Sequence, residues 1–347
     1  MSPAAEVAPG PDGVAPDGSQ QPVGPSPQTE DRRRKLLFYG EQYGLLVVLV
    51  VAFIVFSLLL PETFATEGNV RAMINSQAII LLLALAETFP LRSGEFDLSI
   101  AGVMTAAGAI TAVLTVEGYG LPIALAAVAI LGLVIGLTNG VLVVKVGINS
   151  FIVTLGISTA LGGLAFAITG SRIVPNIPAE VLSLSRTQTL GFPMVVWIGW
   201  VFVVVLWYLY ERTPLGRFLL FVGGSRESAR LAGLRVDRIK IGAFVTCSMI
   251  AALTGVLFAG SVGQLDPSVA GQFLLQPFAA VFLGATAITV GRFNAVGTLI
   301  ALYLLTVFVT GLQLMGADPW VSNVFNGIAL VLAVTFARLA ARLSARA

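Results

Sequence analysis

"SGEFDLSIAG" (Ser93–Gly102) places two carboxylates, Glu95 and Asp97, between the apolar runs "INSQAIILLLALA" (residues 74–86) and "VMTAAGAITAVLTV" (residues 103–116). Its reading decides the architecture. If the flanking runs cross a bilayer, the acids mark either a tight turn in water beside Arg92 or a break inside the membrane. An ionised carboxylate facing lipid costs several kcal/mol, roughly, so it cannot simply sit in hydrocarbon. The second reading makes the stretch a broken or re-entrant element whose backbone and carboxylates line an aqueous cavity, the place where irregular backbone at membrane depth is tolerated. Pro90 is expected to end the preceding helix, and Asp97 and Ser99 to cap the one that follows.

Composition favours the bilayer. Of 347 residues, 56% are hydrophobic and 11% charged, against roughly 25% charged in a soluble domain. One globular core cannot hide that much apolar surface. The chain reads as an all-α polytopic membrane protein. At about 20 apolar residues per crossing, the candidate spans are 43–60, 71–91, 97–116, 121–144, 150–170, 193–210, 241–262, 273–290, 295–315 and 320–337. About ten spans are therefore expected, some of them broken or re-entrant, with both termini cytoplasmic. Ten spans sort 17 of the 20 Lys and Arg to the inner side, leaving Arg71, Arg172 and Arg186 outside.

The expected domains are a disordered, Pro- and Gly-rich tail with a basic flank (1–42), a transmembrane body (43–337) and a short cytoplasmic tail (338–347). The longest inner loop is 211–240, and the longest outer connection is 171–193. The chain has no histidine and one cysteine, which excludes histidine metal sites, Ser-His-Asp catalysis and an internal disulfide. It has no P-loop motif of its own. Cys247, inside an apolar run, reads as a small packed residue.

In the inner loop, "SRESARLAGLRVDRIK" (225–240) reads as a short amphipathic helix interrupted or ended at Gly233. Ala229, Leu231, Ala232 and Leu234 form its apolar part, flanked by Arg226, Glu227, Arg230, Arg235 and Arg238. It is either a solvated basic loop or a helix that docks into a cytoplasmic partner. In the second half, "GQLDPSVAGQFLLQPFAAVFLGATAITVGRFNAVG" (263–297) is also interrupted. Asp266-Pro267 is expected to end the seventh span and Pro277 to enter the eighth. Paired interruptions in the two halves of a transporter point to a solute route, although Gly284, Gly291 and Gly297 fit close helix packing equally well. Glu87 is expected to pair with Arg92 or face the interior. Asn149, Thr154, Gln264 and Asn323 are uncharged polar candidates for the same route.

Four segments, in order, resemble the ribose-type ABC sugar permeases. They are "SGEFDLSIAG", "NSFIVTLGISTALGGLAFAITGSRIV" (149–174), "TPLGRFLLFVGGSRESARLAGLRVDRIKIGAF" (213–244) and "LGATAITVGRFNAVGTLIALYLL" (283–305). The sequence departs from the family pattern at Ser93, Ala101, Ser150, Ala285, Val290 and Asn294.

The resemblance implies a multi-pass permease of the cell membrane, not an enzyme. Its loop helix, with Arg226, Glu227, Ala229, Arg230, Leu231, Gly233 and Leu234, would couple to a cytoplasmic ABC ATPase subunit. That partner would bind ATP and Mg, so this chain needs no cofactor or metal. A sugar-binding protein outside and a second permease copy are the other implied partners, with no nucleic acid. The implied solute pathway runs past Glu95, Phe96, Asp97, Ser99, Asn149, Phe151 and Thr154, with Gly284, Gly291 and Gly297 as hinge or packing points. A gradient-driven secondary transporter using Glu87, Glu95 and Asp97 is the alternative.

Overall fold

A computed structural model describes residues 27–344 of the chain. It divides into Met1–Gly40 and Glu41–Ala347, and apart from the start of α1 everything below lies in the second unit. Residues 1–26, most of the expected disordered tail, lie outside the described residues.

The helices are α1 (Pro27–Leu59), α2 (Glu67–Ser76), α3 (Ala78–Arg92), α4 (Ile100–Val116), α5 (Leu121–Val141), α6 (Ser150–Thr169), α7 (Ala179–Arg186), α8 (Met194–Arg212), α9 (Pro214–Gly224), α10 (Arg226–Leu231), α11 (Val236–Val262), α12 (Leu275–Gly284), α13 (Ala295–Leu314) and α14 (Trp320–Ser344). A turn of π-helix, Leu142–Val146, extends α5. The only β-structure beyond an isolated bridge, among the described residues, is a two-stranded hairpin, Gln188–Thr189 with Phe192–Pro193.

Among the described residues, seven helical segments are long and apolar enough to cross a membrane, with α2 and α3 counted as one crossing. The other three expected spans coincide with the shorter apolar helices α4, α12 and the start of α14. The all-α polytopic class therefore stands.

Every residue of α3 is buried, as are thirteen of the seventeen in α4. A helix apolar all round belongs in the interior of a bundle, and α11 packs on both of them and on α5. By contrast, α1, α5 and α6 leave most of their residues unburied, as lipid-facing helices do. Small residues set the closest contact. Gly132, Gly136 and Gly140 form one stripe of α5 that lies against Met249, Val245 and Ile241 of α11, and a Cβ on Gly136 would fall 2.5 Å from the Val245 Cα.

Several sequence boundaries need correction. α3 runs two residues past Pro90 to Arg92, because a proline this near a helix end costs few hydrogen bonds; its carbonyl accepts from the N–H groups of Ser93 and Glu95. α11 ends at Val262, capped by left-handed Gly263, before Asp266-Pro267 is reached. The apolar run 285–290 is not helical: α12 stops at Gly284, and Ile288 and Gly291 both take positive φ. Hydropathy does not distinguish apolar coil from apolar helix, which is why the eighth span read too long.

The connections sort into two ends. Segments 92–97, 142–149, 212–240 and 292–294 meet at one end, through Arg92 to the Phe293 carbonyl, Lys145 to Asp237 and Lys240 to Glu95. At the other, Val174 pairs with Leu265 and Arg186 donates to the Ser261 carbonyl at 2.9 Å. Of the basic positions assigned inward from sequence, Arg92, Lys145 and Lys240 meet at the first end.

Candidate functional site

The break between α3 and α4 is neither lipid-facing nor a solvated turn. Asp97 and Ser99 are fully buried. Asp97 Oδ1 accepts from the Ser99 N–H at 3.0 Å and the Ser99 hydroxyl at 2.5 Å, a turn just before α4, whose first turn has no side-chain cap, contrary to the expectation for Asp97 and Ser99. Ser99, expected as a second cap, instead donates its hydroxyl to Asp97 and accepts from Asn139 Nδ2 at 2.8 Å. The Asp97 N–H donates to Glu87 Oε1 at 3.0 Å, and the Cys247 thiol lies 3.8 Å from the other Glu87 oxygen. The Leu98 N–H donates to Thr154 Oγ1 at 3.0 Å. Asp97, Ser99 and Thr154 thus share one buried network, joined by Glu87, Asn139 and Cys247. Asp97 Oδ2 and Asn139 Oδ1 are buried acceptors with no partner among the described residues.

Glu95 faces the other way. Its carboxylate meets Lys240 Nζ at 2.6 Å, and both side chains are more than four-fifths covered. Arg92, expected beside Glu87 or the acids, pairs with neither. It donates to the Phe293 carbonyl and stacks on the Tyr210 ring at 4.0 Å. A carbonyl and a ring thus take the place of a carboxylate, and Arg92 Nε stays buried without a partner among the described residues. Glu87 takes the interior position that was its other expected place. The Phe96 ring stacks on Phe282, 6.0 Å between centroids, and Phe282 meets Phe293 edge-on at 5.2 Å.

The second break mirrors the first. Asn294 caps α13, its Oδ1 accepting from the Gly297 N–H, while Nδ2 reaches the carbonyls of Gly284, Ala287 and Arg292. Gly284 and Gly297 meet backbone to backbone: a Cβ on Gly284 would lie 2.5 Å from the Thr298 nitrogen. Gly291 supplies a left-handed turn, with φ 79°. Arg92 and the Phe96–Phe282–Phe293 stack bind the two breaks to each other.

The inner loop reaches the same place. α10 is short, because Gly233 at φ 78° turns the chain before α11 begins. Residues 236–240 therefore belong to α11 rather than to the loop helix. Ala229 packs with Val222, Val236 and Leu234. Glu227 lies in the first turn of α10 and is exposed, and Leu231 is 86% exposed. Asp237 Oδ1 accepts from Arg230 at 3.0 Å and Arg226 at 3.3 Å, and its Oδ2 meets Lys145 at 3.0 Å. At the end of α9, a Cβ on Gly223 would run into the Arg92 carbonyl, and one on Gly94 would stand 3.1 Å from the Gly223 carbonyl. The loop thus touches the first break twice, through the glycine pair and through Lys240–Glu95.

Two sequence-chosen residues stand apart. Asn149 is exposed and caps α6, its Oδ1 accepting from the Phe151 N–H at 2.9 Å, and Phe151 is half-exposed. Sequence reasoning missed Lys240, Gly223, Asn139, Arg92 as a bridge, and a polar cavity lined by Gln77, Gln276, Gln313 and Asn323, of which it had named only Asn323. Thr306, Thr310 and Gln313 share one face of α13 at i, i+4 and i+7, a stripe visible in the sequence of an otherwise apolar helix.

A family model described as "Branched-chain amino acid transport system / permease component" matches residues 69–334. The ribose import permease protein of Escherichia coli (strain K12) is 30% identical over 298 residues, 85% of this chain and 92% of that protein. The L-arabinose ABC transporter permease protein of Azospirillum brasilense is 31% identical over 293 residues, 84% and 86% of the two chains. The ribose import permease protein of Bacillus subtilis (strain 168) is 29% identical over 313 residues, 90% and 97%. No solved structure matches the chain.

Proposed function

Because this chain belongs to the branched-chain amino acid transport system / permease component family, we propose that it is the membrane subunit of an ATP-driven importer for a sugar or sugar-like solute. Its relatives named for ribose and L-arabinose support that solute class. It acts in the cell membrane, with residues 43–337 forming the solute route and the flanks 1–42 and 338–347 in the cytoplasm. A cytoplasmic ATPase docks on 211–240 and carries ATP and Mg. An outside binding protein delivers solute near 171–193, and a second copy of the chain completes the pathway.

The observation that carries this reading is the double contact between the inner loop and the first break, Gly223 on Gly94 and Lys240 on Glu95. A push on α10 passes through Asp237 to the start of α11 and so to the inner closure around Arg92 and Phe96. Two such arrangements, one open to each side, constitute alternating access. The test is uptake in vesicles holding this chain, its ATPase and its binding protein, with ATP hydrolysis followed in parallel. Solute accumulation that requires ATP supports the reading.

Glu87 and Asp97, buried and one hydrogen bond apart, favour a second reading, in which an ion gradient drives transport. Accumulation by this chain alone, in nucleotide-free vesicles under a proton or sodium gradient, would establish that reading in place of the first.

A further inference from the structure

The closure at Arg92 and Phe96 has a counterpart towards the other end of the bundle. There lies an open-mouthed cavity of about 470 Å³, bounded by the α2–α3 junction, the chain entering α12, and facing stretches of α13 and α14, with Gln272, Gln313 and Asn323 exposed. That volume falls within the roughly 300–1,000 Å³ typical of small-molecule sites. Six side-chain amides line it: Gln77, Gln272, Gln276, Gln313, Asn323 and Asn326. Hydroxyls of Thr306, Thr310 and Ser322 fill the spaces between them, and no Asp, Glu, Lys or Arg lines it.

The chemistry of that wall is selective. Each amide offers two N–H donors and a carbonyl acceptor, and each hydroxyl does both. A solute hydroxyl, itself donor and acceptor, matches such a surface at every point. An ion would give up its hydration with no counter-charge to replace it. An apolar solute would strand the less exposed amides, Gln77, Gln276 and Asn326, at about 1–3 kcal/mol for each buried group left unpaired. Some of the wall is already engaged, with Gln276 donating to Gln77 at 3.2 Å and Gln313 to Ser322 at 2.9 Å. Asn326 Oδ1, buried on the same wall, has no partner among the described residues.

We propose that this cavity is a binding site for a neutral polyhydroxy solute of monosaccharide size, held by Gln276, Gln313, Asn323 and Asn326. The assignment rests on the importer reading and adds to it where the solute is held and why a neutral one is chosen. The cavity lies away from the basic end, so the solute occupies it while the Arg92–Phe293 junction is closed beneath.

The test uses the full assembly of this chain with its ATPase and binding protein in vesicles, and D-ribose and L-arabinose as probes. Gln313→Leu and Gln276→Leu are expected to raise the KM for uptake about tenfold, the equivalent of about 1.4 kcal/mol, with membrane yield and ATP hydrolysis retained. A second measurement needs no transport. Native Cys247 is buried, so a cysteine placed by Asn323→Cys reports alone to a membrane-impermeant thiol reagent. Sugar at ten times its Kd should slow that labelling about tenfold and leave labelling at an exposed control, Ile173→Cys, unchanged. If the wild-type assembly accumulates a sugar while KM and labelling stay as they were, the cavity assignment is overturned and the importer reading survives. If the wild type accumulates no neutral polyhydroxy solute, both fall.

Discussion

Lys240 sits in the second turn of α11 with almost no exposed surface, and its ammonium is met by Glu95 at 2.6 Å. Removing one partner of a covered ion pair strands the other charge, at about 3–5 kcal/mol. Lys240→Met should therefore lower the melting temperature of the purified protein, and adding Glu95→Gln should restore most of the loss. Additive losses in that pair of substitutions would mean the two residues do not act on each other. Gly223 poses a steric demand instead: Gly223→Val drives a side chain into the Arg92 carbonyl, so uptake should collapse even where the protein reaches the membrane. At this scale the sequence was half legible. Asp97 and Thr154 stood out as polar residues in apolar surroundings. Lys240 and Gly223 did not, because their partners lie 145 and 129 positions away and nothing local distinguishes a lysine in a basic loop from one that reaches inward.

Among the elements, α10 depends on Asp237. One exposed ion pair is worth about 0.2–1 kcal/mol, but here three cations share a carboxylate at the first turn of α11. Asp237→Asn should loosen α10 without unfolding the bundle. Hydrogen exchange over residues 226–235 should speed up while the rest of α11 is unchanged, and solute uptake should fall relative to ATP hydrolysis. Equal exchange in both proteins would show that α10 is held by packing of Ala229 alone. Gly233→Ala meets no neighbour, so its cost is the left-handed backbone, about 1–2 kcal/mol, and should resemble a mild form of the Asp237 variant.

The stripe of α5 makes a sharper demand. Gly136→Leu must push α11 away, and the result should be protein that fails to accumulate in the membrane. Normal yield would contradict the close contact. The glycine at position 233 was readable as a helix end, and the ten apolar runs as helices. The early end of α12 was not, since the partly buried coil over 285–290 is as apolar as the helix before it, and Asn294, which holds this break, shows its role only when its three carbonyl partners are brought together in space.

For the whole molecule, the charge sorting along the chain anticipated which of the described connections meet: those of Arg92, Lys145 and Lys240 share one end, and 171–193 meets the end of α11 and the chain after it at the other. What the sequence did not carry was that the two breaks touch through Arg92 and that the long inner loop bears on the first of them. The central claim is that this contact transmits motion from the inner loop to the closure. The most direct measurement compares wild type with Gly223→Val in vesicles containing the ATPase and binding protein, recording ATP hydrolysis and solute uptake in the same preparation. The expected result is hydrolysis that continues while uptake falls about tenfold or more, a barrier change of about 1.4 kcal/mol at least. Uptake and hydrolysis that both remain at wild-type levels would contradict it.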